Sequence, residues 1–169
     1  MIFFSGVHGV GKSSLCAKIY ERTGIPFYTA SELIRDFKSD SLNKSKFTRN
    51  IDDNQHVLIK CIEQIPERKF ILDGHICLLN ENQQICKIDK SFIQILNPSL
   101  ILIKTSMPNE IQKRLVKRDC QCYDVEFITQ FQNTELNYAR EMADSLNTPI
   151  VEITDSSSLD QICKMIRSV

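Results

Sequence analysis

The chain carries no excess charge of either sign, no long apolar run and only five glycines in 169 residues. Its 21 basic and 21 acidic side chains cancel, so the total offers no long-range grip on a phosphate backbone, and nucleic acid is not an expected partner. No stretch approaches the roughly 18 consecutive apolar residues that a membrane span needs. Met1 leads straight into a strand-like run, which leaves no place for a charged leader, an apolar segment and a cleavage site. A cytoplasmic protein with no membrane association is therefore expected. Internal repeats and low-complexity tracts are missing too. The seven cysteines are odd in number and scattered, and in that compartment they should be reduced. Cys16, Cys61 and Cys163 fall on apolar helix faces and read as core. Cys120 and Cys122 form the one close pair, and without a second pair or a nearby histidine they make a poor zinc site. The base-reading pattern N-K-x-D of GTPases is absent, although "NKSK" from Asn43 begins like it, and no second arginine-finger or sensor motif of oligomeric motors is evident.

What is present is an ordinary soluble composition, 42% hydrophobic and 25% charged, in a chain long enough for one domain with a sheet covered on both faces. Short apolar runs alternate with amphipathic ones. "IFFS", "IPFYTA", "KFILDG", "LILIKTS" and "PIVEIT" read as five strands. Between them lie helical patterns: "KSSLCAKIYERT" closed by Gly24, "SELIRDF" with Ser31 as its cap, "IDDNQHVLIKCIEQI" stopped by Pro66, "PNEIQKRLVKRD" with proline at its start, the long "DVEFITQFQNTELNYAREMADSL", and "SLDQICKMIRSV". "HICLLNENQQICKI" reads as a hairpin turning at Asn80 to Gln83. Strands alternating with helices predict an α/β fold with a mostly parallel sheet.

Three of the five glycines fall within "GVHGVGKSS". Gly6, Gly11, Lys12 and Ser13 satisfy G-x-x-x-x-G-K-[ST], between a predicted strand and a predicted helix. Glycines let the backbone wrap inward so that successive N–H groups converge, and the following helix adds its free donors and its dipole. Gly6, His8, Gly9, Val10, Gly11, Lys12, Ser13 and Ser14 are thus the candidate phosphate-binding residues, with ATP and Mg2+ as the expected nucleotide and metal. Lys12 would neutralise the β- and γ-phosphates, and the Ser13 hydroxyl could ligate magnesium. His8 sits where only backbone is needed, although an imidazole there could assist. Asp73 ends an apolar strand, where open α/β sheets present their chemistry, and could hold the water shell of the metal or orient the acceptor.

At this point the sequence resembles the nucleoside monophosphate kinases of adenylate kinase type. "YTASELIRD" is similar to that family's "STGDLLR", "LDGH" to its "DGFPR" or, in the archaeal-type branch, "DTH", and "KRLVKRD" to its lid entry R-L-x-x-R. The layout matches the archaeal-type branch best. The resemblance implies a three-layer α/β/α P-loop domain over residues 1–169, with a five-stranded parallel sheet in the order 2-3-1-4-5. It further implies an acceptor-binding helical insertion over about 29–66 and a short lid over about 119–124. Arg35 would hold the acceptor phosphate, Arg114 would lie over the adenine and Arg118 on the transferring phosphoryl group, with Lys12 and Asp73 completing the catalytic set. Independently, Arg114 and Arg118 are four apart, so they share one face of a helix and should converge on one spot, and guanidinium suits phosphate clamping.

The sequence departs from that family where Cys77 stands in place of its acceptor arginine and His75 in place of its aromatic residue. Arg49 is the best candidate to join Arg35 on the acceptor phosphate, and Gln55 could read a base edge. His75 could also serve as a general base toward a hydroxyl, whereas a monophosphate arrives ionised and needs none. Three activities stay open at this level: transfer to a nucleoside monophosphate, transfer to a hydroxyl of a nucleoside, sugar or RNA end, and a nucleotide-sensing ATPase that acts through a protein partner. The partner expected first is a small nucleotide acceptor, with room for a homo-oligomer or a protein partner.

Overall fold

The computed structural model describes residues 1–40, 51–119 and 123–169. Arg49 lies outside the described residues, as do Cys120 to Cys122 of the expected lid. The chain opens with strand β1 (Ile2–Ser5), helix α1 (Lys12–Thr23), strand β2 (Phe27–Thr29), helix α2 (Ala30–Asp40) and helix α3 (Ile51–Glu63). Strand β3 (Ile71–Asp73) follows, then the hairpin strands β4 (Cys77–Leu79) and β5 (Ile85–Lys87) and helix α4 (Lys90–Leu96). Strand β6 (Leu100–Lys104), helices α5 (Pro108–Asp119) and α6 (Val125–Leu146), strand β7 (Ile150–Ile153) and helix α7 (Leu159–Ser168) complete it.

Five strands pair in the order β2-β3-β1-β6-β7, all parallel. Counting only these strands in chain order gives 2-3-1-4-5, as expected, because the hairpin pairs antiparallel on its own away from the sheet. β1 lies in the middle with all four residues buried, and its alternation builds two cores. Ile2 and Phe4 face α1 and α7 with Cys16, Ile19, Ile71, Leu102 and Ile166. Phe3 faces the other layer with Leu72, Ile103, Ile111, Phe131 and Met142. A side-chain period of two on a strand covered on both faces requires this division. Burying each large apolar side chain contributes about 1.5–3 kcal/mol, so the centre of the sheet is the firmest place from which to hang a loop.

Helix ends follow local chemistry. Gly24 closes α1 at φ 70°, its N–H donating to the Tyr20 carbonyl, and Asn147 closes α6 in the same left-handed region. Asn80 Oδ1 accepts from the backbone N–H groups of Asn82 and Gln84, which folds the hairpin turn where the sequence placed it. Two expectations are corrected. Ser31 is not a cap: α2 starts at Ala30, directly after β2, so Ser31 lies inside its first turn. Helix α4 was not expected. It is only seven residues long, with Asp89 as cap accepting from the Ser91 N–H at 2.7 Å and with Phe92 and Ile93 buried. So short a segment carries too little periodicity to be recognised. Cys16, Cys61 and Cys163 are buried, as expected. Among the described residues no helix is long and apolar enough to cross a membrane.

Candidate active site

The loop from Gly6 to Gly11 leaves the carboxyl end of β1, beside the ends of β3 and β6. In open parallel sheets that edge is where ligands bind. Gly6 has φ 144°, and a Cβ there would stand 2.7 Å from the Lys104 carbonyl oxygen, so the first turn of the loop admits no side chain. Gly9 has φ 77°, and a Cβ there would meet Leu115 Cγ at 2.8 Å, which makes this glycine the point where α5 packs on the loop. Gly11 is the N-cap of α1 and offers no side chain to the helix N-terminus. The first N–H groups of α1 therefore keep their capacity, and the helix dipole its positive end, for an anion.

Lys12 is buried, and its Nζ donates to the Gly6 carbonyl at 2.7 Å. Asp73 Oδ1 lies 3.6 Å from that ammonium. Burial pulls the Lys12 ammonium below its ordinary range, and the negative charges of Asp73 and Glu135 work against that pull. Ser13 Oγ donates to Asp73 Oδ2 at 2.7 Å. A hydroxyl and a buried carboxylate side by side form an all-oxygen donor set, which suits a hard cation that also takes phosphate oxygens and water. The chemistry of Ser13 and Asp73 thus fits magnesium, which they could hold.

His75 follows β3 by two residues and turns back toward the phosphate loop. Its Nε2 lies 3.5 Å from Lys12 Nζ, its ring stands 4.0 Å centroid to centroid from that of His8, and its buried Nδ1 has no hydrogen-bond partner. Burial, then the positive charge of Lys12 and the presence of His8, hold the His75 imidazole well below its usual protonation range, against a backbone hydrogen bond with Gly6. The imidazole is accordingly neutral at pH 7.

A cavity of about 740 Å³ runs from this centre toward α2 and α3. Lys12, Ser13, Asp73, His75 and Arg118 line its inner end, and Arg35, Lys38, Asn54 and Gln55 line its far wall. Arg35 is largely exposed, with its Nε 3.1 Å from Asp36 Oδ1. Lys38 Nζ donates to Asn54 Oδ1 at 2.6 Å, which braces α2 against α3. Phe3, Ile34, Leu58, Leu78, Ile88 and Phe92 supply apolar walls.

The two arginines of α5 divide rather than converge. Arg118 lines the cavity. Arg114 does not: its Nη1 donates to the Val10 carbonyl at 3.0 Å and lies 3.5 Å from that of Gly9, and its Nη2 is 3.8 Å from Asp155 Oδ2. Asp155 also accepts from Lys104 Nζ at 2.8 Å and from Ser106 Oγ. Burial alone would raise the Asp155 carboxyl, but hydrogen bonds from Lys104 and Ser106 and the charges of Lys104 and Arg114 hold it below the usual carboxylate range. Arg114 thus holds the phosphate loop from outside.

Reading the sequence missed Lys38 and Asn54, the Lys104–Asp155 pair and above all Glu135, a carboxylate that is 1% exposed. Glu135 had a signal. It lies on the stripe Ile128, Phe131, Glu135, Tyr138, Met142, all of it buried, and a charge at helical spacing among apolar residues needs partners.

Comparison with known proteins bears on the fold and the family. A crystal structure of a gluconokinase from Sinorhizobium meliloti superposes with a TM-score of 0.53 at 18% identity, covering 99% of this chain and 89% of that one, which establishes a shared fold. A relative from Methanocaldococcus jannaschii named "Putative adenylate kinase" is 27% identical over 119 residues, 69% of this chain. The chain spans 58% of that relative's length. The AAA domain family (AAA_17) matches residues 5–130, a span that includes the phosphate loop, Asp73, His75 and both α5 arginines. The chain belongs to the AAA domain family.

Proposed function

We propose that the chain transfers the γ-phosphoryl group of ATP to a nucleoside monophosphate. The observation that carries this reading is one continuous cavity that joins the phosphate loop to a wall bearing Arg35 and Gln55. Likeness to a relative named for adenylate kinase supports it. The β- and γ-phosphates would lie against the loop amides and the N-terminus of α1. Lys12 would neutralise the oxygens that gain charge as the bond between the γ-phosphorus and its bridging oxygen breaks. Magnesium, when bound by Ser13 and Asp73, supplies further charge neutralisation on those oxygens. Arg118 lines the same space and would close over the transferring group, while Arg35 would hold the acceptor phosphate. A phosphate oxygen of the acceptor forms the new bond to the γ-phosphorus and ADP leaves. No proton has to be removed, because the acceptor arrives ionised.

A second reading, transfer to a hydroxyl, is favoured by one feature: His75 is neutral, close to Lys12 and has a buried Nδ1 without a partner. A hydroxyl acceptor needs a base, and the imidazole beside the phosphate loop is placed to be one, although its burial weakens its basicity. The experiment that separates the readings is transfer from labelled ATP across AMP, CMP, UMP, GMP, their deoxy forms and a set of nucleosides and sugars, with wild type and Arg35→Ala. Fast transfer to one monophosphate, with its KM raised roughly tenfold or more in Arg35→Ala and ATP binding unchanged, is expected from a lost charge-assisted contact. Transfer to a hydroxyl that ignores Arg35 would select the second reading. Slow loss of ATP to water alone would leave a nucleotide sensor.

A further inference from the structure

Glu135 lies on α6, outside every segment that the phosphate loop and the cavity draw on, yet its carboxylate reaches between them. Its Oε1 accepts from Ser5 Oγ at 2.5 Å, from the Gly6 N–H at 3.2 Å and from the Ile76 N–H at 3.1 Å, and its Oε2 accepts from the Cys77 N–H at 2.7 Å. Two of these donors belong to the end of β1 and the first residue of the phosphate loop. The other two follow His75 directly. None comes from α6.

We propose that Glu135 is a positioning residue that fastens the phosphate loop and the His75 turn to one another, so that the loop and the wall facing it keep a single geometry. This rests on the reading of the loop as an ATP phosphate site.

Gly6 joins the fastening to the reacting centre. Its N–H points to Glu135 and its carbonyl accepts from Lys12 Nζ at 2.7 Å. The two bonds hold the two peptide planes that meet at Gly6, one to Glu135 and one to Lys12. On the other side, Ile76 and Cys77 are the residues through which the chain leaves His75, so two bonds there limit where its ring can stand against Lys12 and His8. A buried carboxylate is costly unless its lone pairs are used, and here four donors use them. Carboxylates that accept backbone N–H bonds make shorter and stronger bonds than neutral acceptors. Glu135→Gln would keep the shape while turning an amide N–H2 toward one of these donors, most simply Cys77.

A purely structural role predicts something different from a positioning role. If Glu135 only stabilised the fold, its replacement would behave like any equal loss of core packing. Met142, seven residues along α6 and also buried, provides that comparison. The experiment measures binding of magnesium ATP, thermal midpoint and amide hydrogen exchange in Glu135→Gln, Met142→Ala and wild type. Expected are an ATP affinity weakened roughly tenfold in Glu135→Gln, from the loss of charge-assisted bonds at the loop, and faster exchange at both Gly6 and Cys77. Met142→Ala should lower the thermal midpoint at least as much while keeping ATP affinity within about twofold. Equal ATP affinities in the two variants would overturn the proposal. Should Glu135→Gln not fold, Ser5→Ala removes one donor from the same oxygen. A two- to threefold loss of ATP affinity with faster exchange at Ile76 is then expected, from about half the effect of a full bond, and no change in either would overturn it. Because no acceptor is involved, an acceptor panel without transfer would count against the kinase activity and not against this coupling.

Discussion

Gly9→Ala puts the packing of α5 on the phosphate loop to a quantitative test. Gly9 has φ 77°, and an alanine Cβ there would stand 2.8 Å from Leu115 Cγ, 2.9 Å from Leu115 Cδ2 and 3.4 Å from Ile111 Cγ2. The left-handed backbone costs an L side chain about 1–2 kcal/mol. The contact adds about 1–3 kcal/mol of overpacking, since Leu115 and Ile111 are buried and have little room to yield. The single substitution should therefore destabilise the chain by about 2–5 kcal/mol. Leu115→Ala alone should cost a further about 2–5 kcal/mol through the cavity it leaves. In the double variant the new methyl group enters that cavity. The clash disappears and part of the void is filled, so the pair should cost less than the sum of the singles by about 1–3 kcal/mol. Urea unfolding of the four proteins closes the cycle. Additivity within about 0.5 kcal/mol would refute the claim that Gly9 is a glycine because of α5. ATP affinity should follow the same pattern, lowest in Gly9→Ala and partly restored in the double variant, because α5 also carries Arg114 to the Gly9 and Val10 carbonyls.

Two other outcomes follow from the charges of the site. The fold keeps His75 neutral through burial and the proximity of Lys12, His8 and Arg118, with its pKa well below the ordinary 6.5. The unfolded chain therefore binds the extra proton first, and stability is lost as pH falls below 6.5, by at most about 1.4 kcal/mol per pH unit from this one group. Urea midpoints between pH 7.5 and 5.5 should fall more steeply for wild type than for His75→Gln, and equal slopes would contradict the assignment. Asp73→Asn removes the carboxylate that accepts from Ser13 and faces Lys12. Titration calorimetry with and without magnesium should show most of the metal's contribution to ATP affinity gone, and an undiminished magnesium effect would exclude Asp73 from the metal site.

The phosphate loop was legible in the sequence because its requirements are local: glycines at positive φ, a lysine at the helix start, a strand before and a helix after. Asp73 was legible for the same reason, as a polar residue ending an apolar strand. The strand order was available only through resemblance, since apolar runs say which segments are strands and not which are neighbours. Helix periodicity put Arg114 and Arg118 on one face, but a turn of helix separates them by about 6 Å along its axis, enough for one to reach the loop carbonyls and the other the cavity. Glu135 could be recognised as a buried charge from its spacing, yet its partners lie 58 to 130 residues away. Such long-range pairing leaves no local trace. Ser31 misled because β2 runs directly into α2, which leaves no loop position for a cap.

The claim at the centre is that Lys12 serves phosphoryl transfer from the loop it is buried in. The direct measurement is the rate of magnesium-dependent transfer from labelled ATP by wild type and by Lys12→Ala, with near-UV circular dichroism to show that both are folded. Loss of an ammonium that neutralises the transferring group should slow transfer by about a hundredfold or more, several kcal/mol in the barrier. A folded Lys12→Ala protein that transfers within about tenfold of wild type would contradict the mechanism.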